Sequence, residues 1–262
     1  MHFAYILPEV NSLILDTNIH ADYITGSRRQ WITERVARCA NNMMGKCHYP
    51  LLWTMSPKVL SLAGPLARWF SAQLLRTGVD RFALPPSGDL YSYPSMFPPE
   101  QQAAFVRNTE EDARLLATRV STAWEFAGHW EKALASYFPR FATRGLVDAL
   151  VTVNVPYLLP APAFGKDMFK VLGSSSSGNK TVVFKPHEWR GPRGGNEQNL
   201  NVTAMANEIN TYPPGTVTAI YITSDGGGNL GMIDQLVDIL SEHVQVVGNE
   251  IGGYAVASMV NK

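Results

Sequence analysis

The chain has 262 residues, enough for one large domain or two smaller ones with a buried core. Hydrophobic residues make up 45% of the sequence and charged residues 17%, and the 22 basic side chains equal the 22 acidic ones. A net charge of zero argues against a protein that coats nucleic acid non-specifically, although a local basic patch is compatible with it.

The first half of the chain alternates short apolar runs with helix-like segments. Strands are predicted at 13–15, 49–54 and 81–84, and helices at 28–41, 57–76 and 99–137. Ser56-Pro57 has the N-cap and N1 chemistry of a helix start. Residues 89–99 are interpreted as a loop or lid, because prolines and aromatic residues crowd into this stretch.

The second half continues the alternation. Strands are predicted at 148–153, 169–172, 181–184, 217–223 and 244–247, with a helix at 232–241. The segment GSSSSG is typical of a linker, so we predict one domain over residues 1–173 and a smaller α/β domain over 179–262. Alternating strands and helices predict an α/β protein with a largely parallel sheet.

The stretch SLILDTNIHADYI ends an apolar run on Asp16. An ionised carboxylate is costly to remove from water, so Asp16 is expected either at the exposed end of the strand or beside a partner such as a helix N-terminus, a hydroxyl or a metal ion. One interpretation is that Asp16 caps the helix beginning near Ile19, which would stabilise that helix by about 1 kcal/mol. The other is that Asp16 belongs to a functional site.

A second stretch, GLVDALVTVNVPYLL, contains Asp148 before an apolar strand and Asn154 after it. Together with LILDTN it resembles the PIN-domain nucleases, whose first strand ends in an aspartate and whose later strand follows this spacing. The resemblance implies a three-layer α/β/α fold with a mostly parallel sheet in the first two thirds of the chain, followed by a smaller α/β region.

The resemblance also implies a metal site for Mg²⁺ or Mn²⁺, ions that prefer oxygen ligands and can activate water against a phosphodiester. Asp16, Asp148 and Asn154 would hold the metal, while Thr17 and Asn18 would shape the turn beside the substrate.

The sequence departs from the family pattern at two acidic positions. Leu62 stands where a glutamate is expected, and the next acid has no clean equivalent. Glu131 is nearest to that position and is taken as a catalytic candidate with Asp16 and Asp148. Asp112 has the better local context but is too far away without an insertion. Solvated or capping roles remain open for each of these acids.

A basic segment follows the predicted linker. Lys185, Trp189, Arg190 and Arg193 lie among glycines, a pattern that suits a phosphate backbone with one stacked base. An exposed loop with ordinary solubilising charge is the alternative interpretation. This segment is predicted to bind RNA.

The leading functional prediction is a metal-dependent endoribonuclease. A catalytically inactive PIN-like module that binds RNA or protein is one alternative. A structural assembly protein of a virus or phage is another, because low charge with many prolines and aromatics suits a chain that buries its surface against a partner or a second copy of itself.

Cys39 and Cys47 are the two cysteines, and they lack the spacing of a zinc site. They are interpreted as reduced thiols. The sequence lacks a signal-peptide pattern and any apolar run near the ~18 residues of a membrane span, so a cytoplasmic protein without membrane contact is predicted.

Overall fold

The fold is that of a computed structural model of the chain. It describes residues 2–8, 21–41, 47–153, 161–173, 176–189, 202–222 and 230–260. The strand predicted at 13–15 lies outside these ranges.

Strands and helices alternate along the described ranges. The strands are β1 (His2–Pro8), β2 (Leu52–Thr54), β3 (Arg81–Ala83), β4 (Val120–Ala123), β5 (Ala149–Thr152), β6 (Phe169–Gly173), β7 (Lys180–Phe184), β8 (His187–Trp189), β9 (Val217–Ile222) and β10 (Val244–Val246). The helices are α1 (Ala21–Ala40), α2 (Lys58–Leu62), α3 (Gly64–Thr77), α4 (Pro99–Leu115), α5 (Trp130–Lys132), α6 (Ala161–Phe164), α7 (Val202–Asn210), α8 (Leu230–Ile239) and α9 (Ile251–Val260). The mixed α/β class is therefore confirmed.

The strands pair mainly in parallel. One sheet has the order β10-β1-β9-β8, and a second has the order β4-β5-β7-β6. β2 pairs with β3, and a parallel bridge between Leu84 and Ser121 connects β3 to β4. Among these pairs, β6 and β7 are antiparallel. Strands on both sides of the predicted linker share both sheets, so a division of the chain at 173–178 would separate paired strands.

One difference from the predicted elements is β4. Residues 99–137 were expected to be mostly helical, but α4 ends at Leu115 and Ala117 adopts a positive φ of 51°. The four β4 residues are all buried between β3 and β5. Their small and β-branched side chains suit a fully covered strand, and this tertiary burial overrides the helical pattern around them.

A buried ion pair connects α1 to the residue that precedes β3. The Arg35 guanidinium donates to both carboxylate oxygens of Asp80 at 3.1 Å, and both side chains are almost fully buried. Asp80 also accepts hydrogen bonds from the Leu51 N–H and the Trp53 indole N–H, each at 3.0 Å. Arg35 donates further to the Tyr49 carbonyl oxygen at 2.6 Å. These bonds satisfy both buried charges and fix the start of β2 against α1 and β3.

Cys39 and Cys47 form a disulfide, with their Cα atoms 4.5 Å apart. This differs from the two reduced thiols expected from the sequence. Both cysteines are buried at the end of α1 and just before β2, where folding brings them together. The sequence spacing alone does not reveal this approach.

We expect Asp80→Asn to lower the free energy of unfolding by about 3–5 kcal/mol, because Arg35 would keep a buried charge without its counter-ion. Urea unfolding followed by circular dichroism measures the change. The matched control is Asp167→Asn, whose ion pair with Lys170 is exposed and is expected to contribute about 0–1 kcal/mol. Equal losses for the two variants would contradict the role assigned to Asp80.

We expect reduction of the Cys39–Cys47 disulfide to lower the free energy of unfolding by about 2–3 kcal/mol, because a short cross-linked loop restricts the unfolded chain. Thermal melts with and without dithiothreitol measure this. A Cys39→Ala/Cys47→Ala double variant should melt at the same temperature in both buffers. Two thiols that react with a maleimide in the untreated, denatured protein would show that the bond is absent.

Candidate functional site

The carboxyl ends of β2, β3, β4 and β5 lie along one edge, because these strands run in parallel next to one another. We call it the carboxyl edge. Residues 55–58, 85–97 and 124–126 leave the strands there. Ligands of open α/β sheets bind at such edges, so this edge is the candidate site.

The 85–97 loop is held closely against α4 and β4. Gly88 has a φ of +103°, and a Cβ atom at this position would lie 2.4 Å from the Thr109 side chain, so only glycine fits. The Asp89 N–H donates to Thr109 Oγ1 at 3.2 Å. The Ser87 hydroxyl oxygen lies 3.0 Å from the carbonyl oxygen of Trp124. These contacts fix the side chain of Asp89 at the carboxyl edge.

A lysine lies between two carboxyl groups at this edge. Lys58 Nζ donates to Asp89 Oδ1 at 2.5 Å and lies 3.7 Å from Asp112 Oδ2. Asn108 donates to the other oxygen of Asp89 at 3.2 Å. The Lys58 side chain is 34% exposed, against 13% for Asp112 and 7% for Asp89, so the lysine is the most solvent-accessible member of this cluster.

The carboxyl group of Asp112 has a raised pKa. Burial raises the pKa of Asp112 to about 6, and the nearby Asp89 carboxylate adds to the shift while the Lys58 ammonium opposes it. Asp112 Oδ2 is buried, and the Lys58 ammonium lies 3.7 Å from it. A carboxyl group with this pKa can give and take a proton near neutral pH.

Glu125 fixes the far end of the 85–97 loop. It follows β4, is fully buried, and accepts hydrogen bonds from the Ser95 N–H at 2.9 Å and the Ser95 hydroxyl at 2.6 Å. Gln102 of α4 donates to the carbonyl oxygens of Ser95 and Phe97 at 3.1 Å and 2.9 Å. Burial raises the pKa of Glu125 to about 7, although the Ser95 hydrogen bonds oppose this shift. Because it is fully buried, Glu125 positions the loop rather than meeting a ligand.

The structure places two of the acids predicted from the sequence elsewhere. Asp148 precedes β5 at the opposite edge of the sheet, where Arg119 is 2.7 Å away and Gly252 of α9 packs against the carboxylate. Burial raises the pKa of Asp148, and Arg119 opposes the shift. Glu131 is exposed on α5. Neither belongs to the cluster around Lys58.

Most of the other predicted site residues belong to parts of the chain that the structure does not describe. Asp16, Thr17, Asn18, Asn154, Arg190 and Arg193 lie outside the described residues. Only the backbone of Trp189 is described, in β8. Lys185 Nζ donates to the Gly165 carbonyl oxygen at 3.1 Å, which is a structural contact at the end of β7.

Two comparisons with known proteins bear on this site. A family model described as "GxGYxYP putative glycoside hydrolase C-terminal domain" matches residues 26–148. The fold resembles the crystal structure of a "putative hydrolase from Bacteroides thetaiotaomicron VPI-5482", with a TM-score of 0.67 and 16% identity. That match covers 97% of this chain and 44% of the other, so the chain spans less than half the length of that hydrolase. None of the curated proteins compared with the sequence matches it.

The motif in the family description has a counterpart in the 85–97 loop. Gly88-Asp89-Leu90-Tyr91-Ser92-Tyr93-Pro94 agrees with GxGYxYP at the first glycine, both tyrosines and the proline, and Leu90 replaces the second glycine. The sequence interpretation identified a loop or lid here without assigning it chemistry. The candidate site therefore includes a loop that partly matches the motif in the family description.

These comparisons overturn the predicted nuclease. The PIN resemblance was wrong, because the matching family is described as a glycoside hydrolase and the similar structure as a hydrolase. The endoribonuclease, its inactive RNA-binding alternative and the predicted viral assembly protein are wrong with it. The Mg²⁺ or Mn²⁺ site loses the basis on which it was predicted. Among the described residues, no group of three or more histidine, cysteine or acidic side chains is placed to hold a metal ion.

The sequence analysis missed Lys58, Asp89 and Glu125. Glu125 was missed because β4 was predicted as part of a helix. The run VSTAW, which is followed directly by this acid, is the sequence feature that could have indicated a buried strand ending at a carboxyl group. Asp112 was considered and set aside, because it did not fit the spacing of the nuclease pattern.

Glu125→Gln should flatten the pH dependence of stability. The pKa of Glu125 is raised from the ordinary 4.5 to about 7, so the stability from its bound proton is present below 4.5 and is lost as pH rises through 7. We expect the unfolding free energy of the wild type, relative to the variant, to fall by about 2–3 kcal/mol between about pH 5 and about pH 8. Urea unfolding at several pH values measures this difference.

The matched control for this experiment is Glu131→Gln, which removes an exposed carboxyl group on the nearby α5. Its difference from the wild type should stay constant over the same pH range. A constant difference for Glu125→Gln as well would show that Glu125 has no raised pKa.

Proposed function

We propose that the carboxyl edge hydrolyses glycosidic bonds and that the chain is part of a glycoside hydrolase of the GxGYxYP type. The observation that carries the proposal is the motif loop itself, which folds so that Asp89 lies beside Lys58 and Asp112. The family description and the likeness to a hydrolase fold support the same class of reaction.

In the proposed reaction, Asp112 is the general acid. Its pKa of about 6 allows the proton to be transferred to the leaving glycosidic oxygen near neutral pH. Asp89, held by Lys58 and Asn108, keeps negative charge beside Asp112 and so helps Asp112 to regain its proton after each turnover. Hydrolysis adds water across the bond, so no further co-reactant is required.

The location of the protein is a separate part of the proposal. Within the described ranges, no helix has the length and apolar character needed to cross a membrane. The Cys39–Cys47 disulfide favours an oxidising compartment over the predicted cytoplasm, because cytosolic reductants keep thiols reduced. A protein partner or a homo-oligomer stays a prediction from the sequence.

We expect Asp112→Asn to reduce kcat by about 10²–10⁴-fold, the range for loss of a general acid. Release of reducing ends from a panel of plant, fungal and bacterial polysaccharides measures the activity. The wild-type kcat should fall as pH rises above about 6, because Asp112 must carry the proton.

The matched control is Glu111→Gln, one residue away on α4, which removes an exposed carboxyl group that pairs with Arg114 and Arg144. This variant should keep wild-type kcat. Full activity in Asp112→Asn, or no reducing ends from any polysaccharide with the wild type, would overturn the proposed function.

A further inference from the structure

Two exposed aromatic rings lie on the carboxyl edge. Tyr91 is 47% exposed and Phe126 is 49% exposed. Leu90 and Met96, on the same loop as Tyr91, are 43% and 53% exposed. Exposed apolar side chains that cluster at a candidate site indicate a binding surface.

Interlocking ring contacts hold the two rings in place. Tyr91 packs edge-to-face on Trp124 with ring centroids 4.7 Å apart, and Phe126 packs edge-to-face on Tyr93 at 5.7 Å. Residues 91–93 and 124–126 therefore run side by side, and their rings pair at every second position. Glu125, between Trp124 and Phe126, points inward to Ser95 and anchors both segments. A surface fixed in this way loses little conformational entropy when it binds a ligand.

We propose that Tyr91 and Phe126 form a stacking platform for a pyranose ring of the substrate, a proposal that rests on the glycoside hydrolase function above. The C–H groups on one face of a pyranose carry partial positive charge and pack against the negative face of an aromatic ring. The hydroxyl groups around the sugar need polar partners. Lys58 and Asn108 are candidates for these partners, because both donate to Asp89, two residues before Tyr91 on the same loop.

The size of the surface favours a sugar over a protein partner. A stable protein interface buries about 800 Å² on each side, with a buried centre and a polar rim. Two rings with two flanking aliphatic side chains provide too little apolar surface for such a centre. They match the area of one or two sugar rings, and the charged cluster beside them is complementary to hydroxyl groups.

Titration with defined hexasaccharides tests the platform. The probes are β-1,4-linked hexamers of glucose, mannose, xylose and N-acetylglucosamine, and the signal is tryptophan fluorescence, because Trp124 contacts Tyr91. We expect wild-type protein to bind at least one hexamer, and Tyr91→Ala and Phe126→Ala each to raise its Kd by about three- to ten-fold, the range for one aromatic contact. Tyr91→Phe keeps the ring and should bind as the wild type does.

The control is Leu75→Ala, which removes an 81% exposed apolar side chain on α3 and should leave the Kd unchanged. Circular dichroism melts confirm that each variant is folded, and Phe126→Ala provides an independent test if Tyr91→Ala is not. Unchanged Kd values in both ring variants overturn the platform, even when the wild type hydrolyses a polysaccharide. Absence of binding to all hexamers also overturns it. Ring-dependent binding without hydrolysis supports the platform and overturns the catalytic function.

Discussion

The carboxylate of Asp80 holds together the part of the fold on which the candidate site is built. It accepts hydrogen bonds from the Arg35 guanidinium, the Leu51 N–H and the Trp53 indole, so its charge is compensated without water. A buried carboxylate is tolerated only with such a complete set of partners. Because these donors belong to α1 and to β2 and its preceding residue, the same bonds fix the start of β2 against α1 and the residue before β3.

A second buried carboxylate, that of Glu125, organises the other side of the site. Its two hydrogen bonds to Ser95 connect the end of β4 to the loop that carries Asp89, Tyr91 and Tyr93. The proposed chemistry and the proposed sugar platform thus share one support, although they use different side chains.

Much of the fold class could be predicted from local sequence patterns, whereas the site could not. β2, β3 and β5 were anticipated from short apolar runs, because burial on both faces imposes such runs. β4 was missed, since four small and β-branched residues between helical segments carry a weak periodic signal. The nuclease pattern depended on spacing around Asp148, but that residue precedes its strand and pairs with Arg119 at the opposite edge. The spacing of residues along the chain does not show at which edge of a sheet a side chain lies.

The position of β1 has a consequence for how the chain reaches its native state. β1 lies between β9 and β10, so residues 2–8 pair with segments more than two hundred positions later. Contacts of such long range slow folding, because a large loop must close before they form. During synthesis on the ribosome, β1 therefore stays without β9 and β10 as partners until nearly all of the described chain has emerged. Chaperones that shield single strands would be most useful to this protein in that interval.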